Sequence, residues 1–268
     1  MDAMELRGWA SQAPMVPGRD LTDAFGQALV STSEGQFDAL EVYIKSRIAN
    51  CGGNHSAVVE ELYEKRWGPT RTPIYNVILS FLHRTPENKA KLMDVTRYLA
   101  QNIKVPVDAA DATGSSALYW AISAKPYAEP EFAQILFDAG GSVNQRNRFG
   151  CTAASEIAQA NVKGDTTKNV QMLKWFVDHG GDVDAKDTDG MSAKKLVDMM
   201  SKRVPGMAAV LRDGKPARKA GECANCGRSS NPERKFAACA KCKISRYCSQ
   251  DCQKVDWKTH KKSCKAPT

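Results

Sequence analysis

Eight potential metal ligands are concentrated in the last part of this 268-residue chain. Seven of its nine cysteines and one of its four histidines lie within residues 223–264. The ligands are Cys223, Cys226, Cys239, Cys242, Cys248, Cys252, His260 and Cys264. A tetrahedral zinc site takes four such ligands, so this segment carries enough for two closed sites. A segment this short buries too little apolar surface to fold alone, so metal coordination would supply its folding free energy.

The spacing of the ligands favours metal sites over a disulfide framework. The first two cysteine pairs have Cys-x-x-Cys spacing, which lets one tight turn present two sulfurs to one ion. The last two ligand pairs are four residues apart, which places both side chains on one face of a helix. Spacing alone allows a sequential grouping, the first four ligands and then the last four, or an interleaved one. Because protein ligands would fill every coordination position, we expect structural rather than catalytic zinc.

Residues 246–264 carry the most specific pattern in the chain. They read Arg-Tyr-Cys-Ser-Gln-Asp-Cys-Gln-Lys-Val-Asp-Trp-Lys-Thr-His-Lys-Lys-Ser-Cys, and with the two Cys-x-x-Cys pairs they resemble the MYND zinc finger. The resemblance implies an interleaved grouping of the ligands. One ion would be held by Cys223, Cys226, Cys248 and Cys252, and the other by Cys239, Cys242, His260 and Cys264.

The same resemblance implies a ligand, because MYND fingers bind short proline-containing peptides. The peptide-binding candidates that it implies are Gln253 and Trp257, followed by Tyr247 and Ser249. Their chemistry is suitable, since an indole face packs well on proline rings and an amide side chain can hold an extended backbone. The alternative for Trp257 is packing against the zinc-bound loops.

A nine-residue phrase occurs twice in the middle of the chain, 40 residues apart. It reads Leu-Phe-Asp-Ala-Gly-Gly-Ser-Val-Asn at residues 136–144 and Phe-Val-Asp-His-Gly-Gly-Asp-Val-Asp at residues 176–184. After each copy come a polar turn and a Ser or Thr that can cap a helix. Units of this kind bury their apolar stripes by stacking on neighbours, which predicts a helical repeat solenoid.

These phrases resemble the ankyrin repeat. Residues 116–121 (Ser-Ala-Leu-Tyr-Trp-Ala) are similar to its Thr-Pro-Leu-His-x-Ala helix start, and the glycine phrases to its Gly-Ala-Asp-Val-Asn ending. A second glycine replaces the family's alanine in both copies, and the spacing exceeds the usual ~33 residues. We expect the extra residues between paired helices, at 123–130 and 159–168, and a further degenerate repeat beginning at residue 72.

Together, these patterns predict a mainly α-helical chain with an ankyrin-like repeat solenoid followed by a small two-zinc MYND-type module. Glycine and proline clusters mark the expected boundaries. These are an N-terminal helical cap at 1–50, repeats at 51–204, a linker at 205–221 in which residues 207–211 could form one helical turn, the zinc module at 222–264 and a tail at 265–268.

Composition and charge narrow the class of protein. No run of about 18 apolar residues could span a membrane, and the acidic start at residues 1–6 does not read as a secretory signal. We therefore expect a cytoplasmic or nuclear protein. From residue 212 onwards there are 15 Lys and Arg against 5 Asp and Glu, so this region carries the chain's excess of positive charge. No base-reading motif accompanies it, so we expect a solvated surface rather than a nucleic-acid site.

The function that we expect is a non-enzymatic adaptor or scaffold, in which the repeats bind one protein and the zinc module another. A transcriptional co-regulator acting through the zinc module is an alternative. A SET-type lysine methyltransferase is a second alternative, suggested by Asn-His-Ser at residues 54–56, but the sequence lacks the accompanying glycine motif and strand pattern. The sequence specifies neither the protein partners nor the oligomeric state.

Overall fold

The computed structural model describes residues 20–123, 128–160, 163–230 and 235–266. The described part of the chain is mainly helical. It forms two compact units, divided between Gly150 and Cys151. Residues 1–19, which include the start of the expected N-terminal cap, lie outside the described residues. So do parts of the two expected insertions, at 124–127 and 161–162.

The first unit is built from seven described α-helices. They are α1 (Ala24–Ser33), α2 (Ala39–Asn50), α3 (His55–Glu64), α4 (Ile74–Arg84), α5 (Lys89–Arg97), α6 (Ala117–Ile122) and α7 (Pro130–Asp138). A 3-10 turn at Pro86–Asn88 precedes α5, and a π-helical turn at Tyr98–Ile103 continues it. Helix α4 is buried over most of its length and contacts both α5 and α6, so it forms the centre of this unit.

The second unit contains four helices followed by the cysteine-rich segment. The helices are α8 (Ala153–Ala158), α9 (Thr167–Asp178), α10 (Ala193–Met200) and α11 (Pro205–Asp213). The cysteine-rich segment contains strands β1 (Ala237–Ala238) and β2 (Arg246–Tyr247) and helix α12 (Gln250–His260). The two strands pair antiparallel, with Ala237 opposite Tyr247. Among the described residues, no helix combines the length and apolar character needed to cross a membrane.

Three turns with one geometry precede helices α6, α8 and α10. In each, the side-chain oxygen of an Asp or Asn accepts a hydrogen bond from the backbone N–H two residues later, at 2.8, 3.0 and 3.0 Å. The backbone carbonyl of the same residue accepts from a glycine three residues later. The first and last residues of these turns are Asp111 and Gly114, Asn147 and Gly150, and Asp187 and Gly190. The glycines have φ of 81°, 73° and 74°, a left-handed conformation that glycine adopts without strain.

The helices that surround these turns pack in successive pairs. The pairs are α4 with α5, α6 with α7, α8 with α9, and α10 with α11. In the first unit, α4 contacts α6 and α5 contacts α7. In the second, α8 contacts α10 and α9 contacts α11. Within each unit, the first helix of one pair thus contacts the first helix of the next pair, and the second helix contacts the second. Stacked helical repeats pack in this way.

Residues 205–213, which we expected to begin a linker, instead form helix α11. Pro205 occupies its first position, where a missing N–H costs no helical hydrogen bond. Met207 and Val210 are buried, and the helix packs against α9. The proline and glycine therefore start a helix here, because the residues after them have an apolar stripe to bury.

The second glycine of each repeated phrase has a packing reason that the sequence did not reveal. A Cβ at Gly181 would lie 2.1 Å from Cε1 of the Phe176 ring, which is far inside van der Waals contact. At Gly141 the corresponding Cβ would lie 2.9 Å from Leu118 Cδ2 and 2.9 Å from the carbonyl oxygen of Leu136. The Phe176 ring therefore occupies the space that a side chain at position 181 would need.

The Gly181→Ala substitution should therefore destabilise the protein. We expect a loss of about 1 to 3 kcal/mol, since overpacking a buried ring forces it off its rotamer. Urea unfolding of the second unit would measure it. Gly141→Ala, where the nearest atoms would lie 2.9 Å from the Cβ rather than 2.1 Å, serves as the comparison. It should cost less in the unfolding of the first unit, which contains it. A Gly181→Ala protein as stable as the parent would contradict this account of the glycine.

Candidate metal centre and adjoining groove

The two Cys-x-x-Cys pairs form turns of the same shape. In the first, the Gly227 N–H donates to the Cys223 carbonyl at 3.0 Å, and Gly227 has φ of 74°. In the second, the Lys243 N–H donates to the Cys239 carbonyl at 2.9 Å, and Lys243 has φ of 58°. Each turn thus closes on a left-handed residue directly after its second cysteine. This shape directs both sulfurs of a pair towards one metal position.

The other four ligands are positioned by β2 and helix α12. Cys248 follows β2 directly, and Cys252 lies in the first turn of α12. The Ser249 side chain caps this helix, because its Oγ accepts a hydrogen bond from the Cys252 N–H at 3.1 Å. His260 is the last residue of α12, and Cys264 follows in the turn after it.

The first cluster brings together Cys223, Cys226, Cys248 and Cys252, whose sulfurs all lie within 4.8 Å of one another. The Cys248 sulfur is 3.5 Å from the Cys226 sulfur and 3.5 Å from the Cys252 sulfur. Zinc–sulfur bonds of about 2.3 Å in a tetrahedron place neighbouring sulfurs about 3.8 Å apart. A disulfide would require about 2.05 Å, and all nine cysteines are free. The cluster therefore fits a zinc ion.

The second cluster brings together Cys239, Cys242, His260 and Cys264 within the same 4.8 Å limit. The Cys239 and Cys264 sulfurs are 3.8 Å apart, and the Cys242 sulfur is 3.5 Å from His260 Nε2. The other ring nitrogen, Nδ1, lies 3.4 Å from Ser245 Oγ, a contact that orients the imidazole so that Nε2 faces the sulfurs.

The chemistry of the second donor set also suits zinc. Hydrogen bonds from the backbone N–H groups of Ser245 and Ile244 lower the pKa of the Cys242 thiol to about 6. These hydrogen bonds favour the thiolate form of Cys242, which is the form that coordinates zinc. Four protein ligands at each cluster leave no open coordination position, so both sites are structural zinc sites.

The grouping is interleaved, and the expectation that came from the family resemblance is confirmed. The sequential grouping that spacing also allowed does not occur. Residues 223–264 match the MYND finger family, and the match contains all eight ligands. Comparison with curated proteins finds no match to the chain. The C-terminal module is a MYND finger, a class of zinc-binding module that mediates protein interactions.

Helix α12 presents three faces with different surroundings. Residues four apart face the zinc sites and the β-hairpin: Cys252, Asp256 and His260. A second set borders a small cavity of ≈ 150 Å³ beside residues 180–184: Val255, Lys258 and Thr259. A third set, at helical spacing, lines a groove on the surface: Gln250, Gln253, Lys254 and Trp257.

The groove has a volume of ≈ 480 Å³ and its other wall is the second zinc turn, at Cys239, Ala240 and Lys241. Gln253 and Trp257, the first two peptide-binding candidates, both line it. Trp257 is 41% exposed, and its ring centroid is 5.8 Å from that of the zinc-ligand side chain His260. The indole thus lies beside the zinc ligand His260, and part of its surface faces solvent.

Tyr247 and Ser249, the other two candidates, are not among the residues that line the groove. Tyr247 is buried, and its hydroxyl donates to Asp256 Oδ2 at 2.7 Å. Burial, with help from this hydrogen bond, raises the pKa of the Tyr247 hydroxyl, so it remains a proton donor. Ser249 caps α12.

An interface within the second unit joins the MYND finger to the end of helix α9. Asn225, between the first two cysteines, is 1% exposed and donates from Nδ2 to the Gly180 carbonyl at 3.0 Å. Gly180 has φ of 79°, and a Cβ there would lie 2.5 Å from Asn225 Nδ2. The glycine therefore serves the helix end and also leaves room for the asparagine.

Two basic residues of the segment after α11 strengthen this interface. Lys215 donates to Asn225 Oδ1 at 3.1 Å and forms a salt bridge with the buried carboxylate of Asp256. Arg218 donates to the backbone carbonyls of Asn225, at 2.6 Å, and of Asp178. The sequence patterns did not identify Lys215, Arg218 or Asn225 as interface residues. Asp256 was detectable, because it lies midway between the ligands Cys252 and His260 at four-residue spacing.

Paired ligand substitutions should distinguish the two zinc groupings. Cys226→Ser with Cys248→Ser removes two ligands of one site, so we expect one bound zinc. Cys226→Ser with Cys242→Ser removes one ligand from each site, so we expect both ions to be lost to a competing chelator. Native mass spectrometry would count the ions. The sequential grouping requires the reverse pattern.

Asn225→Ala should destabilise the second unit without removing zinc. It leaves the Gly180 carbonyl and the Lys215 ammonium without this partner in a buried interface, at a cost of about 1 to 3 kcal/mol. Urea unfolding and zinc content would be measured together. Lys258→Ala, which breaks a more exposed salt bridge to Asp182 in the same interface, should cost at most about 1 kcal/mol. Equal effects of the two substitutions would contradict the central role of Asn225.

Proposed function

We propose that this protein is a non-enzymatic adaptor whose MYND finger binds short proline-containing peptides in the groove beside helix α12. The observation that carries the proposal is the third face of α12. Its other two faces are occupied by the zinc sites and by the end of the preceding repeat, whereas this face borders an open groove. An exposed indole on such a face is a typical anchor for a protein ligand.

The chemistry of the groove supports a proline-containing ligand. The exposed face of Trp257 offers a flat apolar surface on which a proline ring packs with little loss of conformational entropy. Gln253, three residues before it on the same helix wall, offers an amide that both donates to and accepts from an extended backbone. The groove volume, ≈ 480 Å³, lies within the range of ~300 to 1,000 Å³ that is usual for ligand pockets.

Tyr247 and Ser249 act indirectly in this proposal. The Tyr247 hydroxyl holds Asp256, and the Ser249 hydroxyl caps the helix, so both fix the position of α12 rather than touch a peptide. Their substitution would then weaken binding through the stability of the module.

The helical repeats would supply the second binding surface of the adaptor. Two observations support an ankyrin-like arrangement. Three turns share one geometry, and successive helix pairs contact each other through corresponding helices. At equivalent positions of α4 and α6, the Tyr75 hydroxyl donates to the Val105 carbonyl at 2.9 Å, and the Tyr119 hydroxyl accepts from Asn147 at 3.1 Å. Each tyrosine thus ties its helix to a loop further along the chain.

A binding role is also better supported than methyl transfer. The two zinc sites have no open position for a reacting group. In the Asn-His-Ser segment, Asn54 caps helix α3 by accepting from the Ala57 N–H at 3.1 Å, and His55 is the first residue of that helix. Asn54 thus has a structural role at the start of helix α3. The free thiolates that zinc requires favour a reducing compartment, the cytosol or the nucleus.

The Trp257→Ala substitution tests the proposal. With a fluorescein-labelled peptide that contains a Pro-Pro pair, we expect the full-length, zinc-loaded protein to lose about 10-fold or more in affinity, since the indole is the main apolar contact. Fluorescence anisotropy would give the dissociation constants. Ile244→Ala is the matched control, because Ile244 is 78% exposed in the same module but does not line the groove. Equal binding by both variants would reject the groove as the peptide site.

A further inference from the structure

The ionic side chains that line the groove beside α12, apart from the zinc ligand Cys239, are both lysines. Lys241 is part of one wall, and Lys254 is part of the other. No Asp or Glu lines the groove among the described residues. The lining also includes Cys239, a ligand of the second zinc site, where three thiolates and one Zn²⁺ together carry a formal charge of about −1. The two exposed ammonium groups outweigh this charge, so the groove surface is net positive.

Neither groove lysine is held by a strong intramolecular partner. Lys241 is exposed and forms no salt bridge within the described part of the chain. Lys254 contacts Asp251 at 3.6 Å, but their side chains are 75% and 81% exposed, and such a pair contributes little.

Other lysines of this region differ from these two. Lys258, on the same helix, is 2.7 Å from Asp182, and Lys215 pairs with the buried Asp256. Those lysines serve the interface with helix α9. The groove lysines are available to an external carboxylate.

The position of the groove adds to its preference for an anion. Gln250, the first residue of the 11-residue helix α12, lies at the groove. The N-terminus of a helix carries a partial positive charge, so a carboxylate beside it is stabilised. The aliphatic stems of Lys241 and Lys254 can at the same time cover an apolar ligand.

We propose that the groove selects proline-containing segments that carry aspartate or glutamate within a few residues on either side of the proline. The proline would pack on Trp257, and the flanking carboxylates would pair with Lys241 and Lys254. This inference rests on the proposed peptide-binding function and names the class of partner. A protein segment fits better than a nucleic acid, because two lysines are too few for the extended basic track that a phosphate backbone requires.

Three labelled peptides of equal length test the inference with the full-length, zinc-loaded protein. They share a Pro-Pro pair and differ in having aspartate, serine or lysine on both sides. We expect the aspartate peptide to bind about 3- to 10-fold more tightly than the serine peptide, as for two exposed ion pairs, and the lysine peptide to bind least. The difference should shrink as salt rises from about 50 to 300 mM.

Charge reversal identifies the residues responsible. Lys241→Glu and Lys254→Glu should each remove or invert the preference for aspartate. Lys262→Glu makes the same charge change at an exposed position that does not line the groove, so it should leave the preference in place. Zinc content measured on each variant would confirm that the module is folded.

The outcomes separate the two proposals. Equal affinity for all three peptides, or an effect of Lys262→Glu as large as that of the groove lysines, would overturn the charge selection and leave peptide binding intact. If none of the peptides binds, the proposed function fails and the inference fails with it. Stronger competition by a single-stranded oligonucleotide than by the aspartate peptide would overturn the assignment of a protein partner.

Discussion

Metal coordination at both ends of one helix is the constraint on which the C-terminal module depends. Cys252, in the first turn of α12, belongs to the first ligand set, and His260, the last residue of α12, belongs to the second. Because the sets are interleaved, each ion joins one Cys-x-x-Cys turn to a different part of the same helix. The module has a small apolar core, with Phe236 and Tyr247 among its buried residues. Two zinc sites that coordinate thiolates therefore provide folding free energy that packing cannot.

Zinc coordination at both ends of α12 also determines the rotation of the helix about its own axis. The zinc ligands and Asp256 must face the hairpin, so the remaining positions divide between the end of α9 and solvent. Gln253 and Trp257 then lie on the solvent side, next to the wall that Ala240 contributes. The orientation of this open face is thus a consequence of coordination geometry, and residues outside the groove, such as those that hold Asp256, help to set it.

Much of this arrangement was predictable, because zinc ligands can be identified from residue type and spacing. All eight ligands and their structural role followed from the chemistry of the segment, and the grouping followed from the family resemblance. Helix α11 was predicted as part of a linker, because Pro205 and Gly206 are strong local signals whereas the burial of Met207 and Val210 depends on α9. The contact between Asn225 and Gly180 was not predictable, because the two residues lie 45 residues apart in sequence.

The sequence by itself determined the chemistry of the metal sites and the repetition of the glycine-containing turns, since both depend on residues that lie close together along the chain. Only the tertiary structure decided that the MYND finger packs on the end of helix α9 within one compact unit. It also decided which face of α12 remains open. Both outcomes depend on contacts between distant segments, and such contacts are governed by shape and burial, which local sequence patterns do not record.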